Sequence, residues 1–292
     1  MIHKLKAKLS KGIKKAMPDK MYLNMMYRKK IGKKLNLKHP ITFNEKLQWL
    51  KLYNRMPEYT TMVDKYEVKK YVAGIIGEEY IIPTLGIWDR VEDIDFDSLP
   101  NQFVLKCTHD SGGLVICKDK SMFDIPKAID KLKQSLSRNF FWYGREWPYK
   151  NVKPRIIAEK YMSDGKSDEL TDYKFMCFDG KVKCIFTCTN RNTAEGLKVS
   201  FFDIKWNRLP FCRHYPADDK KIDPPLHLSK MIELAEKLAQ NIPFVRVDFY
   251  EIEAQIYFGE LTFFPGSGFE AFTPEEWDYK IGSWLTLPQK SQ

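Results

Sequence analysis

The sequence predicts an α+β chain whose helices and strands form two lobes, and three observations predict it. Residues 244–263 alternate apolar and polar positions with period two, in two runs joined by a short polar turn, as an amphipathic hairpin does. Residues 102–117 read as strand, glycine loop and strand. Helical spacing recurs between such stretches, at 44–53, 62–76, 126–138 and 228–241, so helices and antiparallel hairpins are interleaved. The 292 residues, 43% of them hydrophobic, can bury a sizeable core and favour two lobes over one.

The formal net charge of +10 is concentrated in the first forty residues. There Leu5, Leu9, Ile13 and Met17 recur at helical spacing among many lysines, which predicts a basic amphipathic helix over 1–38. Two readings are open: the helix lies on an anionic membrane surface, or it packs on its own domain with a solvated basic face. No run is apolar enough for a signal-peptide core or a membrane span, so the expectation is a soluble cytoplasmic protein, at most peripheral to the inner face of the membrane. Nucleic acid is not expected as a partner, because no aromatic-interleaved motif accompanies the charge. The six Cys lack paired metal-ligand spacing and read as reduced thiols. Cys184 and Cys188 lie four apart in an alternating strand, roughly 13 Å from each other, and cannot share a zinc.

In chain order, Thr42 caps a helix over 44–53 with Glu45 three residues on, and Trp49 lies in its core face. A single helix is expected over 62–76, with Asp64, Lys65 and Lys69 on its polar side. Residues 80–88 are extended, with Pro83 suiting an edge. In the stretch 102–117, Lys106 stands near the end of an apolar strand, and the loop 108–113 offers hydroxyls and flexible amides, including Ser111, Gly112 and Gly113, to a phosphate. It is not a Walker loop, since the lysine precedes the glycines. His109 reads as a loop histidine before it reads as a base. Residues 139–151 form an aromatic loop punctuated by Gly and Pro, and 155–161 a strand ending Glu159-Lys160-Tyr161. A hairpin with an Asp-Gly turn follows over 172–182, placing Asp172 and Lys174 on one face. The antiparallel pattern runs on through 189–206 with Arg191, and a helix and tail close the chain over 277–292.

The 244–263 hairpin carries the chemistry. Val245, Val247 and Phe249 take one face, which leaves Arg246 and Asp248 on the other; Glu260 and Thr262 share a face on the second strand. Pairing the strands brings Asp248 and Glu260 together beside Arg246. Two carboxylates hold a Mg²⁺ that bridges phosphate oxygens, and a guanidinium stabilises charge on a transferred phosphoryl group. The glycine-rich exit at 265–268 lets backbone amides approach an anion. An amphipathic hairpin with a merely solvated charged face has the same pattern.

Lys106 with its glycine loop, Glu159-Lys160-Tyr161, Asp172-x-Lys174, Arg246-x-Asp248 and Glu260-x-Thr262 occur in the order of the ATP-grasp superfamily. More narrowly, residues 42–46, Trp49, Asp64-Lys65-Tyr66, 106–113, 172–175 and 259–269 resemble the TupA-type ATP-grasp proteins linked to teichuronopeptide and other cell-surface polysaccharides. The resemblance spans about residues 40–277. It implies an ATP-grasp fold with the nucleotide held between two α+β lobes: a basic segment 1–38, a helical region 39–100, one lobe 101–158 with the lysine and glycine loop, and a second 159–292 with the hinge and catalytic hairpin. It implies ATP and Mg²⁺ as cofactors, Lys106 and Lys174 on the phosphates, Glu159, Lys160 and Tyr161 as the adenine-contacting hinge, Asp172 in the nucleotide site, Asp248 and Glu260 on the metal, and Arg246 as the transition-state cation. The family usually has Asn two residues after the metal Glu, where this chain has Thr262.

The activity this implies is carboxylate–amine ligation through an acyl phosphate, joining an amino acid or amine to a uronic acid of a surface polysaccharide or its precursor. A sugar kinase on the same scaffold is the alternative. A glycosyltransferase fits less well, since no Asp-x-Asp motif follows a nucleotide-sugar strand pattern, and a non-catalytic nucleotide-binding protein remains a further reading.

Overall fold

The computed structural model describes residues 15–165, 170–191 and 193–290, and in it the period-two runs are strands and the period-3.6 runs helices. Helix α1 (Asp19–Ile31) ends at Gly32, whose φ of 82° lets its N–H return to the Arg28 carbonyl. It buries Tyr22, Leu23 and Tyr27 and turns Met21 and Met25 outward. The expected helix through Leu5, Leu9 and Ile13 lies outside the described residues. Helix α2 (Phe43–Tyr53) starts with a complete capping box between Thr42 and Glu45, as its sequence predicts.

The single helix expected over 62–76 is two helices, α3 (Glu58–Val63) and α4 (Glu67–Ile76). Asp64 divides them. Its Oδ1 accepts from the N–H groups of Tyr66 at 2.9 Å and Glu67 at 3.3 Å, so a short polar side chain competes for donors that a continuous helix would use internally.

One sheet has the order β1 (Thr84–Trp88), β4 (Ile156–Lys160), β2 (Phe103–Cys107), β3 (Leu114–Cys117), all antiparallel. Helix α5 (Ile125–Leu136) packs beneath it, with Phe103, Leu105, Ile156 and Leu132 in the shared core. The loop 139–151 contains the single-turn α6 (Phe141–Gly144) and a 3-10 turn, Trp147–Asn151. Tyr80, the first residue of the 80–88 segment expected as extended chain, instead ends a 3-10 turn, Glu78–Tyr80.

The second sheet runs β10 (Gln255–Thr262), β9 (Phe244–Ile252), β5 (Tyr173–Phe178), β6 (Lys181–Thr189), β7 (Lys198–Phe202). The β5–β6 turn has Asp179 at φ 48° and Gly180 at φ 78°, the doubly positive turn an Asp-Gly pair is suited to. A two-stranded piece joins β8 (Cys212–Arg213) to β11 (Phe272–Thr273). Helices α7 (Leu228–Leu238), α2 and α8 (Glu276–Ser283) belong to the large core on one side, where Val245, Val247 and Phe249 are fully buried. α8 is the helix of the helix and tail expected over 277–292, and it ends at Ser283. Among the described residues no helix is long and apolar enough to cross a membrane.

Candidate active site

Strand pairing places the charged residues of the second sheet in one row. Lys174 faces Asp248 across β5–β9, and on β10 Glu260 faces Asp248 while Thr262 faces Arg246. A bulge at Gly259 sets that last register. A Cβ there would come within 3.1 Å of the Asp248 carbonyl oxygen, so the close approach of the strands needs glycine. The carboxylates expected side by side are thus brought together.

The row is densely paired. Lys174 Nζ lies 2.5 Å from Asp248 Oδ2 and 3.3 Å from Asp172 Oδ2. Arg246 Nε and Nη2 reach Asp248 Oδ1 and Oδ2 at 2.6 and 2.7 Å, and Nη2 also reaches Glu260 Oε1 at 2.5 Å. Thr262 Oγ1 donates to the same Glu260 oxygen at 3.1 Å, and Arg191 holds Asp172 from the other side. Burial opposes charge on Lys174, yet Asp248 and Asp172 hold its pKa above the ordinary lysine value. Burial pushes Asp248 upward in spite of Arg246 and Lys174. The two partners thus pull in opposite senses; with three donor contacts on its two oxygens, Asp248 is best described as ionised. Enclosure would raise Glu260 too, but Arg246, Lys174 and Lys65 keep it below the usual carboxylate range.

Across the cleft, Lys106 Nζ lies 2.5 Å from Glu159 Oε2, and Lys69 Nζ 2.5 Å from Glu159 Oε1. Burial would lift Glu159, but these two lysines hold it below the usual carboxylate value. The Glu159 side chain is therefore turned to two lysines inside the cleft. Lys160 and Tyr161 line an adjoining cavity of about 340 Å³ with Ile82, Val104 and Ile116.

The glycine loop hangs over the same space. Gly112 has a φ of 115°, which glycine alone adopts freely, and a Cβ on Gly113 would lie 2.9 Å from Asp110 Oδ1. The Gly113 carbonyl accepts from the Cys107 N–H at 2.8 Å, closing the loop. His109 is buried, with Nε2 at 3.3 and 3.1 Å from the carbonyls of Ser135 and Arg138, so it anchors the loop to the end of α5. Burial lowers its pKa. Among the described residues no three His, Cys, Asp or Glu form a metal-holding group, and Cys184 is buried against Met176.

Together these elements line a cavity of about 500 Å³ between the two sheets, within the range of a nucleotide-sized pocket. The structure brings Lys106, Ser111, Gly112, Gly113, Glu159, Asp172, Lys174, Arg246, Asp248, Glu260 and Thr262 around it. It also adds residues the sequence reading did not assign to a site. Lys65 donates to the Asp110 carbonyl from the break between α3 and α4, and Lys69, Arg191, Glu146, Tyr149 and Tyr250 complete the wall. The i, i+4 spacing of Lys65 and Lys69 was a legible signal; nothing local marks Glu146 or Tyr250. Oxygen-only donors suit a hard cation such as Mg²⁺, which is commonly held by one or two carboxylates together with phosphate oxygens.

No curated protein matches the chain. Among solved structures it is similar to D-alanine–D-alanine ligase from Bacillus anthracis complexed with ATP, at 16% identity and a TM-score of 0.39, covering 75% of this chain and 55% of that one. It is also similar to D-alanine–D-alanine ligase from Helicobacter pylori, at 15% identity and a TM-score of 0.41, covering 83% and 69%. The ATP-grasp ligase PsnB complexed with minimal precursor gives 10% identity and a TM-score of 0.41, covering 75% and 59%. The chain thus spans little more than half the length of the Bacillus structure. A family model described as TupA-like ATPgrasp matches residues 45–286. Because that span takes in both sheets and every cleft residue named above, the α+β architecture is an ATP-grasp fold and the chain belongs to the TupA-like ATP-grasp family.

Proposed function

We propose that the protein is an ATP- and Mg²⁺-dependent carboxylate–amine ligase that works through an acyl phosphate and modifies a cell-surface polysaccharide or its precursor. The observation that carries this reading is the convergence, in one cleft, of Lys106, Lys174 and Arg246 with the oxygen donors Asp248, Glu260 and Thr262. Lys106 and Lys174 bind the phosphates from opposite sheets, and the 111–113 loop supplies backbone donors above them. Asp172 orients Lys174. Lys160 and Tyr161 border the adjoining cavity, where Ile82, Val104 and Ile116 offer an apolar face to a purine base, while Glu159 keeps Lys106 directed into the cleft. Asp248, Glu260 and Thr262 would hold Mg²⁺, which when bound neutralises phosphate charge. Arg246, fixed by two carboxylates, lies where charge develops on the transferred phosphoryl group.

The acceptor class is a carboxylated sugar and the nucleophile an amine or amino acid. Incubation with ATP, Mg²⁺, hydroxylamine and uronic acids tests this: an acyl hydroxamate formed with ADP release supports ligation. A phosphorylated sugar without hydroxamate supports the kinase reading instead, and sugar-nucleotide turnover without ATP use supports a glycosyltransferase.

A cytoplasmic site of action, peripheral to the inner face of the membrane through residues 1–38, belongs to the same reading. Exposed Met21 and Met25 beside exposed Arg28, Lys29 and Lys30 support it. Because α1 also buries Tyr22, Leu23 and Tyr27, the suitable test removes residues 1–14 only and asks whether sedimentation with anionic vesicles at low salt is lost.

A further inference from the structure

Among the described residues six carboxylates line the main cavity, and two of them, Asp110 and Glu146, are hydrogen-bonded to a serine hydroxyl and not to a cationic side chain. Glu159, Asp172, Asp248 and Glu260 each contact one or more cationic side chains. Asp110 accepts from Ser135, and its other oxygen is sealed from solvent. Glu146 is 4% exposed, yet the hydrogen bond it makes is with a neutral hydroxyl, that of Ser267 on Oε1. The positive charge acting on it most is Lys51, whose Nζ is already directed to Gln48 Oε1 at 3.0 Å, Gly144 O at 2.7 Å and Ser267 O at 2.7 Å.

The surroundings are built. Glu146 lies between α6 and the following 3-10 turn, and the cavity wall beside it carries Phe140, Tyr149 and Phe264. Ser267 holds a φ of 53°, uncommon for a residue with a Cβ, and its hydroxyl is the one that meets Glu146. Gly144 makes room for this: a Cβ there would come 2.9 Å from Ser267 Cβ and 3.0 Å from Glu146 Oε1. An acidic group on a cavity wall that also carries aromatic rings, with a hydrogen bond recorded on one of its two oxygens, is suited to receive an alkylammonium group.

Resting on the ligase reading, we propose that Glu146 receives the amine substrate as its ammonium ion and takes a proton from it before attack. The balance requires such a group. An alkylammonium and an acyl phosphate give an amide, inorganic phosphate and one released proton. Nitrogen forms its bond to the acyl carbon, the C–O bond to phosphate breaks, and the phosphate leaves with that electron pair. Of the two protons the nitrogen gives up, Glu146 takes the first, which frees the lone pair, and the second ends on phosphate. Burial raises the Glu146 pKa against the pull of Lys51, Ser267 and Arg246, with Glu260 adding to the rise and Tyr149 facing the same space; a carboxylate so placed is a better base than a solvated one. The aromatic wall selects a primary amine on an apolar stem.

Calorimetry on the full chain with benzylammonium as probe, and benzyl alcohol as its neutral counterpart, tests the assignment without turnover. The wild type is expected to bind benzylammonium more tightly than benzyl alcohol, and Glu146→Gln to lose about tenfold or more of that affinity. The preference should also fade as pH is lowered and Glu146 takes up a proton. Ser267→Ala, which keeps the carboxylate and removes its orienting hydroxyl, should lose part of it and serves if Glu146→Gln does not fold, as judged by its melting transition. Equal benzylammonium affinity in wild type and variant, or no preference of the wild type for the ammonium over the alcohol, overturns the proposal. The hydroxamate assay on wild type reads the ligase function separately, so each idea can fail alone.

Discussion

Lys174 and Asp248 are cross-strand partners on β5 and β9, and their side chains meet with Nζ 2.5 Å from Oδ2. Arg246 grips the same carboxylate with two nitrogens, so Asp248 is the hinge of the cationic row. Asp248→Asn removes the charge while keeping the shape. Lys174 retains Asp172 and Arg246 retains Glu260, so the loss of stability should fall near the lower end for breaking a buried pair, about 3 kcal/mol. Urea unfolding measures it; unchanged stability would mean that the row is not held by charge.

Lys106→Ala and Lys174→Ala should each weaken ATP binding by about 1.5–3 kcal/mol, since each removes a charge-assisted phosphate contact. Titration calorimetry decides. Unchanged affinity in both folded variants removes the nucleotide assignment of the cleft.

Glu159 gives a pH prediction with a definite sign. Its folded pKa is depressed by Lys106 and Lys69, so the folded protein holds the ionised form more tightly than the unfolded chain does. The stabilisation is complete above the unfolded value of about 4.3 and disappears as pH falls through the lower folded value. The difference in urea midpoint between wild type and Glu159→Gln should therefore be constant near neutrality and shrink below that pH. A difference that grows on acidification contradicts the pairing.

Glu260→Gln should lower ATP turnover steeply and shift its Mg²⁺ dependence, because a metal-binding carboxylate is replaced by an amide of the same size. Thr262→Asn is the companion variant. Thr262 donates to Glu260 at 3.1 Å, an orientation an asparagine amide can reproduce while offering a stronger oxygen ligand, so tighter Mg²⁺ dependence is expected. Wild-type turnover and Mg²⁺ response in Glu260→Gln would remove this hairpin as the catalytic centre.

Lys51 is fully buried, and burial pushes it down to about 7, but only the ammonium carries an N–H for each of the three acceptors its Nζ meets. Lys51→Met avoids burying a charge and leaves the Gly144 carbonyl and the Gln48 amide oxygen without the donor they have now, while the Ser267 carbonyl keeps Gln48 Nε2. The second effect should prevail, with a loss of about 3 kcal/mol in urea unfolding. A variant as stable as wild type would show that water replaces the ammonium.

The sequence by itself determined the local elements and the faces they present. Alternation settled that Arg246, Asp248, Glu260 and Thr262 oppose the buried Val245, Val247 and Phe249, because side-chain direction in a strand follows position alone. The capping box at Thr42 and the Asp179-Gly180 turn were legible for the same reason: each is satisfied within a few residues. The break at Asp64 was not read, since helical spacing continues through it and only the side chain's own bonds to Tyr66 and Glu67 interrupt the ladder. Beyond the β9–β10 hairpin, the tertiary structure decided which charges meet. Glu159 finds Lys69 and Lys106, Asp172 finds Arg191, and Glu146 is left with Ser267, all through contacts between segments distant in the chain. Such pairings depend on how two sheets close over a cavity, and the energy of a charge depends on that enclosure, which no local pattern of residues records.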